Sequence, residues 1–338
     1  MSNDMNEDIF DVKKMEKTIK KAKRRANWKT ALITIIVLII VIIVGMIVNR
    51  DINYNLETPV QFSATGFHEI SAPNEFIGKL ERYQGILGGE NRYTTYKIIE
   101  GKVVYTGQER YGYGLFRDEN LNRIGIESPI LIGHSFSEED LQKQHYNELG
   151  QREMVFFYPF LQYKTYRNDL ALLDDIGEDK VMEVALSFDR GYTFKEVQSL
   201  IPSNMTLTWL WVDDVNEKED NFQFEQFDDH GEVSGYDHSL RSEHTVYGLS
   251  LLDQDGDMKE EPVLRFIGAI EANQQFKARW QSEFKRLYVM LSGEDGKLTE
   301  EDLQYYGAVV TGNAETLSQL KDLPFIKASS IGVITDKY

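Results

Sequence analysis

Residues able to do chemistry are plentiful in this chain but poorly arranged for it. Six histidines and 55 acidic residues accompany no cysteine, which excludes a thiol nucleophile, a disulfide framework and a cysteine-type zinc site. Gly133-His134-Ser135 sets a histidine beside a serine, but a nucleophile elbow needs Gly-x-Ser-x-Gly, and Phe136-Ser137 follows instead. Asp228, Asp229, His230, Asp237, His238 and His244 fall within seventeen residues without helical His-x-x-x-His or zinc-motif spacing. Asp253 to Asp257 resembles the front of a calcium loop, yet its glycine, Gly256, stands at position four where an EF-hand requires position six. Gly293 to Asp302 resembles the back of such a loop, with Leu291 on the first ligand position. Both read as turns, the second leading into a helix capped by Thr299 to Asp302. No catalytic, cofactor-binding or metal residue is assigned, and no enzymatic activity is expected.

The element that must position everything else is the run Thr30 to Val48, which contains no charged side chain. As a helix its nineteen residues reach roughly 28 Å, about the thickness of a bilayer's hydrocarbon core. Trp28 suits one headgroup boundary, and Asn49, Arg50 and Asp51 the other. The run is longer than a signal peptide's apolar core, and no Ala-x-Ala cleavage site follows it. From Lys13 to Lys29 there are nine Lys/Arg against one acid, Glu16. The positive-inside rule therefore predicts a single-pass membrane protein with its N-terminus in the cytoplasm and residues 50–338 outside, in contact with the lipid bilayer. Residues 1–29 carry +4 and the whole chain −18, leaving −22 on the rest. So acidic an exterior argues against nucleic acid and for a well-solvated surface or a face for a basic partner.

Before the span, Val12, Met15, Ile19, Ala22 and Ala26 recur at helical spacing among lysines and arginines. This predicts a basic amphipathic helix over 9–27. Three uses are open to it: a topology signal held on anionic lipid, a docking helix for a cytoplasmic partner, or nucleic-acid binding. After the span, Pro59, Gly66 and Pro73 predict that no long helix survives in 50–75. Residues 74–89 read as a short helix ended by Gly88-Gly89. Residues 92–114, dense in Tyr, Thr, Val and Ile, read as a β-hairpin turning at Glu100-Gly101, its tyrosines either sheet or binding surface. A strand and turn are expected at 126–136, a helix capped at Ser137 and running to Gly150, and a core strand at 152–164.

The composition changes at 168–180, a boundary between two outer domains. Strands follow at 181–189 and 207–215, joined by a helix over 193–201 with Thr193 as N-cap and Glu196 completing a capping box. This β-α-β order predicts parallel pairing. Residues 216–262 read as an irregular acidic loop, 262–291 as helical, 305–312 as a strand, 314–323 as a helix and 325–334 as the last strand. The fold class is α+β: residues 1–29 a cytoplasmic basic segment, 30–48 a transmembrane helix, 50–172 a β-rich extracytoplasmic domain, and 173–338 an α/β sandwich of ferredoxin-like character.

Three stretches carry a resemblance. Residues 183–214 hold a Tyr-Thr-helix-Leu/Ile-Pro-x-Asn order and a Trp-x-Trp-Val-Asp strand end. Residues 305–336 hold Gly-x-Val-Val-Thr-Gly and Leu-Pro-Phe-Ile-x-Ala-Ser-Ser-x-Gly-Val. Residues 11–36 look like a basic juxtamembrane segment. Together they resemble the sigma factor regulator family, membrane proteins of Gram-positive bacteria. The resemblance implies regulation: family members include membrane-bound inhibitors that hold an extracytoplasmic-function sigma factor and release it under envelope stress. It transfers no catalytic residue. This sequence departs from true anti-sigma factors in having about 28 residues before the span and no His-x-x-x-Cys-x-x-Cys motif. The expected partner is therefore a cytoplasmic sigma factor or a second membrane anti-sigma protein, met by the apolar face Ile9, Phe10, Val12, Met15 and Ile19. The alternative is a cell-envelope binding or assembly protein without a transcriptional role, acting through 92–114 or 216–262.

Overall fold

The structure, a computed structural model, describes residues 4–115, 122–124, 139, 142–216, 222–227, 230 and 232–338. The expectations at 126–136 and the cap at Ser137 lie outside them, while the helix expected to run on to Gly150 is absent from 143–150, where bend and turn let Tyr146 bridge to Arg152. The chain divides into two compact units, Met1–Asn55 and Leu56–Tyr338.

One helix, α1 (Asp4–Ser71), replaces the short helices and breaks expected up to residue 75. In its first unit it is long and apolar enough to cross a membrane. The large apolar side chains from Leu32 to Val48 are exposed all round, without the covered stripe of a helix packed on a core. Thr30 and Thr34 return their hydroxyls to the carbonyls of Ala26 and Thr30, hiding two donors within the helix.

Pro59 and Gly66 lie inside α1 without ending it. A proline costs a helix about 3 kcal/mol, and here burial offsets that. Val60, Ala64 and Ile70 join the main core, and Phe67 stacks on Trp280 with ring centroids 5.0 Å apart. Gly66 is a packing requirement: a Cβ there would sit 2.3 Å from Asn273 Nδ2. The helix stops before Pro73, and Asn74 turns the chain with φ of 54°.

Residues 74–89 form no helix. They are β1 (Glu75–Gln84) and the turn into β2 (Gly88–Ile99). Pairing with β2 overrides the helix preference of its Glu, Lys, Leu and Arg. The hairpin expected at 92–114 is present as β2 and β3 (Lys102–Gly114), turning at Glu100 and Gly101, both with positive φ, as a two-residue hairpin loop demands. With β4 (Asn122–Ile124) these strands make an antiparallel sheet, ordered β1-β2-β3-β4.

The C-terminal sheet contains β6 (Lys180–Tyr192), β7 (Thr206–Val212), β11 (Gly248–Ser250), β12 (Tyr305–Asn313) and β13 (Ile326–Asp336), ordered β11-β7-β12-β6-β13 and antiparallel throughout. The parallel pairing expected of β6 and β7 does not occur. They run the same way but β12 lies between them, because its continuous apolar sequence (YYGAVV) is buried on both faces and fits only a central position. Without the added edge strand β11, the order is that of a split β-α-β, the ferredoxin-like arrangement expected. Helix α2 (Phe194–Leu200) connects β6 to β7 and carries the Thr193–Glu196 capping box.

The region 216–262 is not one loop. It contains the hairpin of β8 (Gln223–Phe227) and β9 (Val233–His238), then β10 (Arg241–Ser242) and β11. Residues 262–291 are two helices, α3 (Pro262–Asn273) and α4 (Gln281–Leu291). The helix at 314–323 shortens to α5 (Ala314–Leu317) and a 3-10 turn, Ser318–Leu320.

Residues 153–158 and Tyr163 are buried while Gln162 and Lys164 are exposed, and only β5 (Val155–Phe156) is strand, paired with β10. Pro159 prevents a longer ladder, and side chains take over its hydrogen bonding. The N–H of Val155 donates to Ser330 Oγ, that of Phe157 to Ser187 Oγ and that of Tyr158 to Tyr163 Oη. Met154, Phe156 and Tyr158 thereby cover Trp209 and Trp211 on one face of the sheet. Leu186, Leu210, Val310 and Phe284 fill the other.

Candidate functional site

The residues expected to meet a partner lie on α1. Val12, Met15 and Ile19 are exposed. Ile9 and Phe10 lie on the same helix, with side chains outside the described residues. The acid and histidine region does not converge on one point. His238 Nε2 is 3.3 Å from Gln223 Nε2, Asp237 pairs with Lys164, and His244 Nε2 faces Glu153 Oε1 at 3.4 Å. Asp228 and Asp229 lie outside the described residues. Asp253–Asp257 and Gly293–Asp302 are turns, as read: Asp253 Oδ1 accepts from the N–H groups of Asp255 and Asp257, and Thr299 with Asp302 forms a capping box.

The polar chemistry concentrates elsewhere, where the C-terminal end of α1 meets the first sheet. Alternation along β2 turns Asn91, Tyr93, Thr95 and Lys97 to the same face, and all four are buried. A buried strand face this polar demands partners, and they come from several elements. Asn91 donates to Glu57 of α1 (3.0 Å), which also pairs with Arg82 of β1 (2.9 Å). Tyr93 donates to Glu109 Oε2 of β3 (2.6 Å). Thr106 donates to Glu75 Oε1 and accepts from the Thr95 hydroxyl (2.9 Å). Lys97 reaches Glu183 of β6 (2.6 Å) and Glu243 (3.2 Å), and Glu183 also accepts from Asn74 (3.1 Å) and from the Val333 N–H (3.1 Å). Tyr93, Tyr111 and Tyr113 are therefore buried structure rather than exposed binding surface, while Tyr83 and Tyr105 remain exposed.

Electrostatics along this seam follow from burial against pairing. Burial works against charge on Lys97, but Glu183 and Glu243 prevail and hold its ammonium above the usual lysine value. Burial pushes Glu183 up. Glu243 is held down instead, because Lys97, His244 and the Met154 N–H outweigh its desolvation. Burial raises Tyr111 to about 12, and burial with the nearby Glu57 carboxylate raises Tyr113 to about 12.

Above Lys97 on the same strand face, His68 stands between two carboxylates. Its Nδ1 is 3.5 Å from Glu109 Oε1 and its Nε2 is 4.0 Å from Glu75 Oε2. One imidazole nitrogen and one oxygen from each carboxylate lie within 4.8 Å of one another, the one such group among the described residues. Sequence reasoning missed it because His68, Glu75 and Glu109 share no local spacing. The usable signal was the alternation of 91–97, which marks a buried polar face only once that strand is known to be covered.

Two family descriptions match the chain: sigma factor regulator N-terminal over residues 16–104, and sigma factor regulator C-terminal over residues 173–333. Together they cover about three quarters of it. The first extends well beyond the juxtamembrane stretch 11–36, through the rest of α1, β1 and β2 and into β3. The second begins where the composition changes. No curated protein and no solved structure matches the chain.

Proposed function

Since the chain belongs to the sigma factor regulator family, a membership that carries a general role in sigma-factor regulation, we propose that it couples an extracytoplasmic condition to a cytoplasmic sigma factor or to that factor's membrane inhibitor. In this reading α1 crosses the bilayer once, with its basic end inside and Leu56–Tyr338 outside, and Ile9, Phe10, Val12, Met15 and Ile19 form the inner contact face. The observation that carries it is α1 itself. The same helix bears an exposed apolar run flanked by nine basic residues and, farther on, supplies Glu57 and His68 to the buried polar seam.

Two measurements test it. The chain has no cysteine, so single replacements report topology without background. Lys20→Cys should resist a membrane-impermeant maleimide in intact cells, and Ser234→Cys should react. The reverse pattern overturns the orientation. Residues 1–29 should capture a sigma factor or a membrane anti-sigma protein in a two-hybrid screen, and Met15→Asp with Ile19→Asp should abolish capture. If an unrelated basic leader in place of 1–29 preserves function, the inner face is not the output, and the envelope-assembly alternative takes its place.

A further inference from the structure

We propose that His68, Glu75 and Glu109 form a binding site for a divalent metal ion of the zinc class. Four observations carry this. The ligand atoms already converge within 4.8 Å. Three ligands about 2.1 Å from a common zinc ion lie roughly 3.3 Å apart, so closure needs side-chain shifts of about 1 Å or less. The side chains of all three residues are nearly inaccessible, at 4% for His68 and Glu109 and 7% for Glu75. Two carboxylates buried with one imidazole concentrate negative charge, and the neighbouring cation, Lys97, is engaged with Glu183 and Glu243.

The carboxylates are also oriented as ligands are. Tyr93 holds Oε2 of Glu109, and Thr106 holds Oε1 of Glu75. In each case the other oxygen is the one turned toward His68. Outer-shell hydroxyls that fix one carboxylate oxygen and present the other are the usual support of a metal centre.

An ion has a way in. His68 and Glu75 line a cleft of about 350 Å³ whose wall also carries Asp253 and Asp255, and Glu69 paired with Lys259 (2.8 Å); the two aspartates favour cations there. One nitrogen and two oxygen donors, with no sulfur, suit zinc better than magnesium or calcium, which prefer all-oxygen cages. The site stands independently of the regulatory reading.

The test uses the full chain in detergent, stripped with a chelator and titrated with zinc chloride by calorimetry, with bound metal counted by mass spectrometry. One zinc per chain is expected, with magnesium and calcium failing to compete. His68→Gln and Glu109→Gln should each weaken binding about 100-fold or more, and Thr106→Val, which leaves the ligands in place, about 10-fold. Circular dichroism establishes that each variant is folded. If the ligand variants do not fold, cobalt added to the wild type should give the visible absorption of a four-coordinate N/O site. The proposal is overturned if no zinc binds, if zinc binding survives Glu109→Gln in a folded protein, if only Asp253→Asn or Asp255→Asn removes it, or if cobalt gives only its aqueous spectrum.

Discussion

The two large sheets are built on opposite principles. The C-terminal sheet packs chiefly through apolar side chains on both faces: Leu186, Leu210 and Val310 on one side and Trp209, Trp211 and Val309 on the other. The first sheet turns Asn91, Tyr93, Thr95 and Lys97 inward and closes over carboxylates from α1, β1, β3 and β6. An apolar face accepts any apolar partner of the right shape. A charged one accepts only the arrangement that supplies every partner, and each defect in it is costly. The first sheet should therefore respond to single substitutions as a network, and the second as a sum of packing contacts.

Breaking the network gives the largest expected effect. Lys97→Met strands Glu183 and Glu243 and should cost about 3–5 kcal/mol of unfolding free energy in a denaturant titration. Adding Glu183→Gln, which keeps an acceptor for Asn74 and Val333, should return part of that cost. Additive losses would mean that the pair is not a network. Leu186→Ala should cost about 2–5 kcal/mol, and no change in Lys97 or Glu183 should rescue it.

A pH titration sharpens the contrast. Tyr111 and Tyr113 are held near 12 against 10.0 when unfolded. Lys97 is likewise held above its unfolded 10.5. A group whose folded value is raised contributes stability that is complete below the unfolded value and lost as pH rises toward the folded one. These groups should thus make stability fall between about pH 10 and 12. Tyr111→Phe with Tyr113→Phe should flatten that fall, and an unchanged slope would count against it. Smallest, Thr193→Ala removes the capping box of α2 and should cost about 1 kcal/mol, wholly within the C-terminal sheet's packing regime.

The same contrast explains what was legible in the sequence. β6, β7, β12 and β13 announce themselves by apolar runs, α2 by Thr193 and Glu196, and the β2–β3 hairpin by Glu100-Gly101. All of these signals lie within about ten residues of the element they define. Three features were not legible for the same reason in reverse. Pro59 and Gly66 read as breaks because what holds α1 together there, Trp280 and Asn273, lies some two hundred residues away. β12 between β6 and β7 is a choice made by non-local hydrogen bonds. His68, Glu75 and Glu109 come together only after the helix turns back at Asn74.

Lys97 has a consequence for how the molecule is made. Its counter-ions, Glu183 and Glu243, follow it by 86 and 146 residues. During synthesis from the N-terminus the hairpin can close its backbone ladder early, but its buried ammonium stays uncompensated until more than two thirds of the chain has emerged. The lysine therefore acts as a completeness gauge. A prematurely terminated chain keeps an unburied cation and an open first sheet, and presents itself to proteolysis as unfinished.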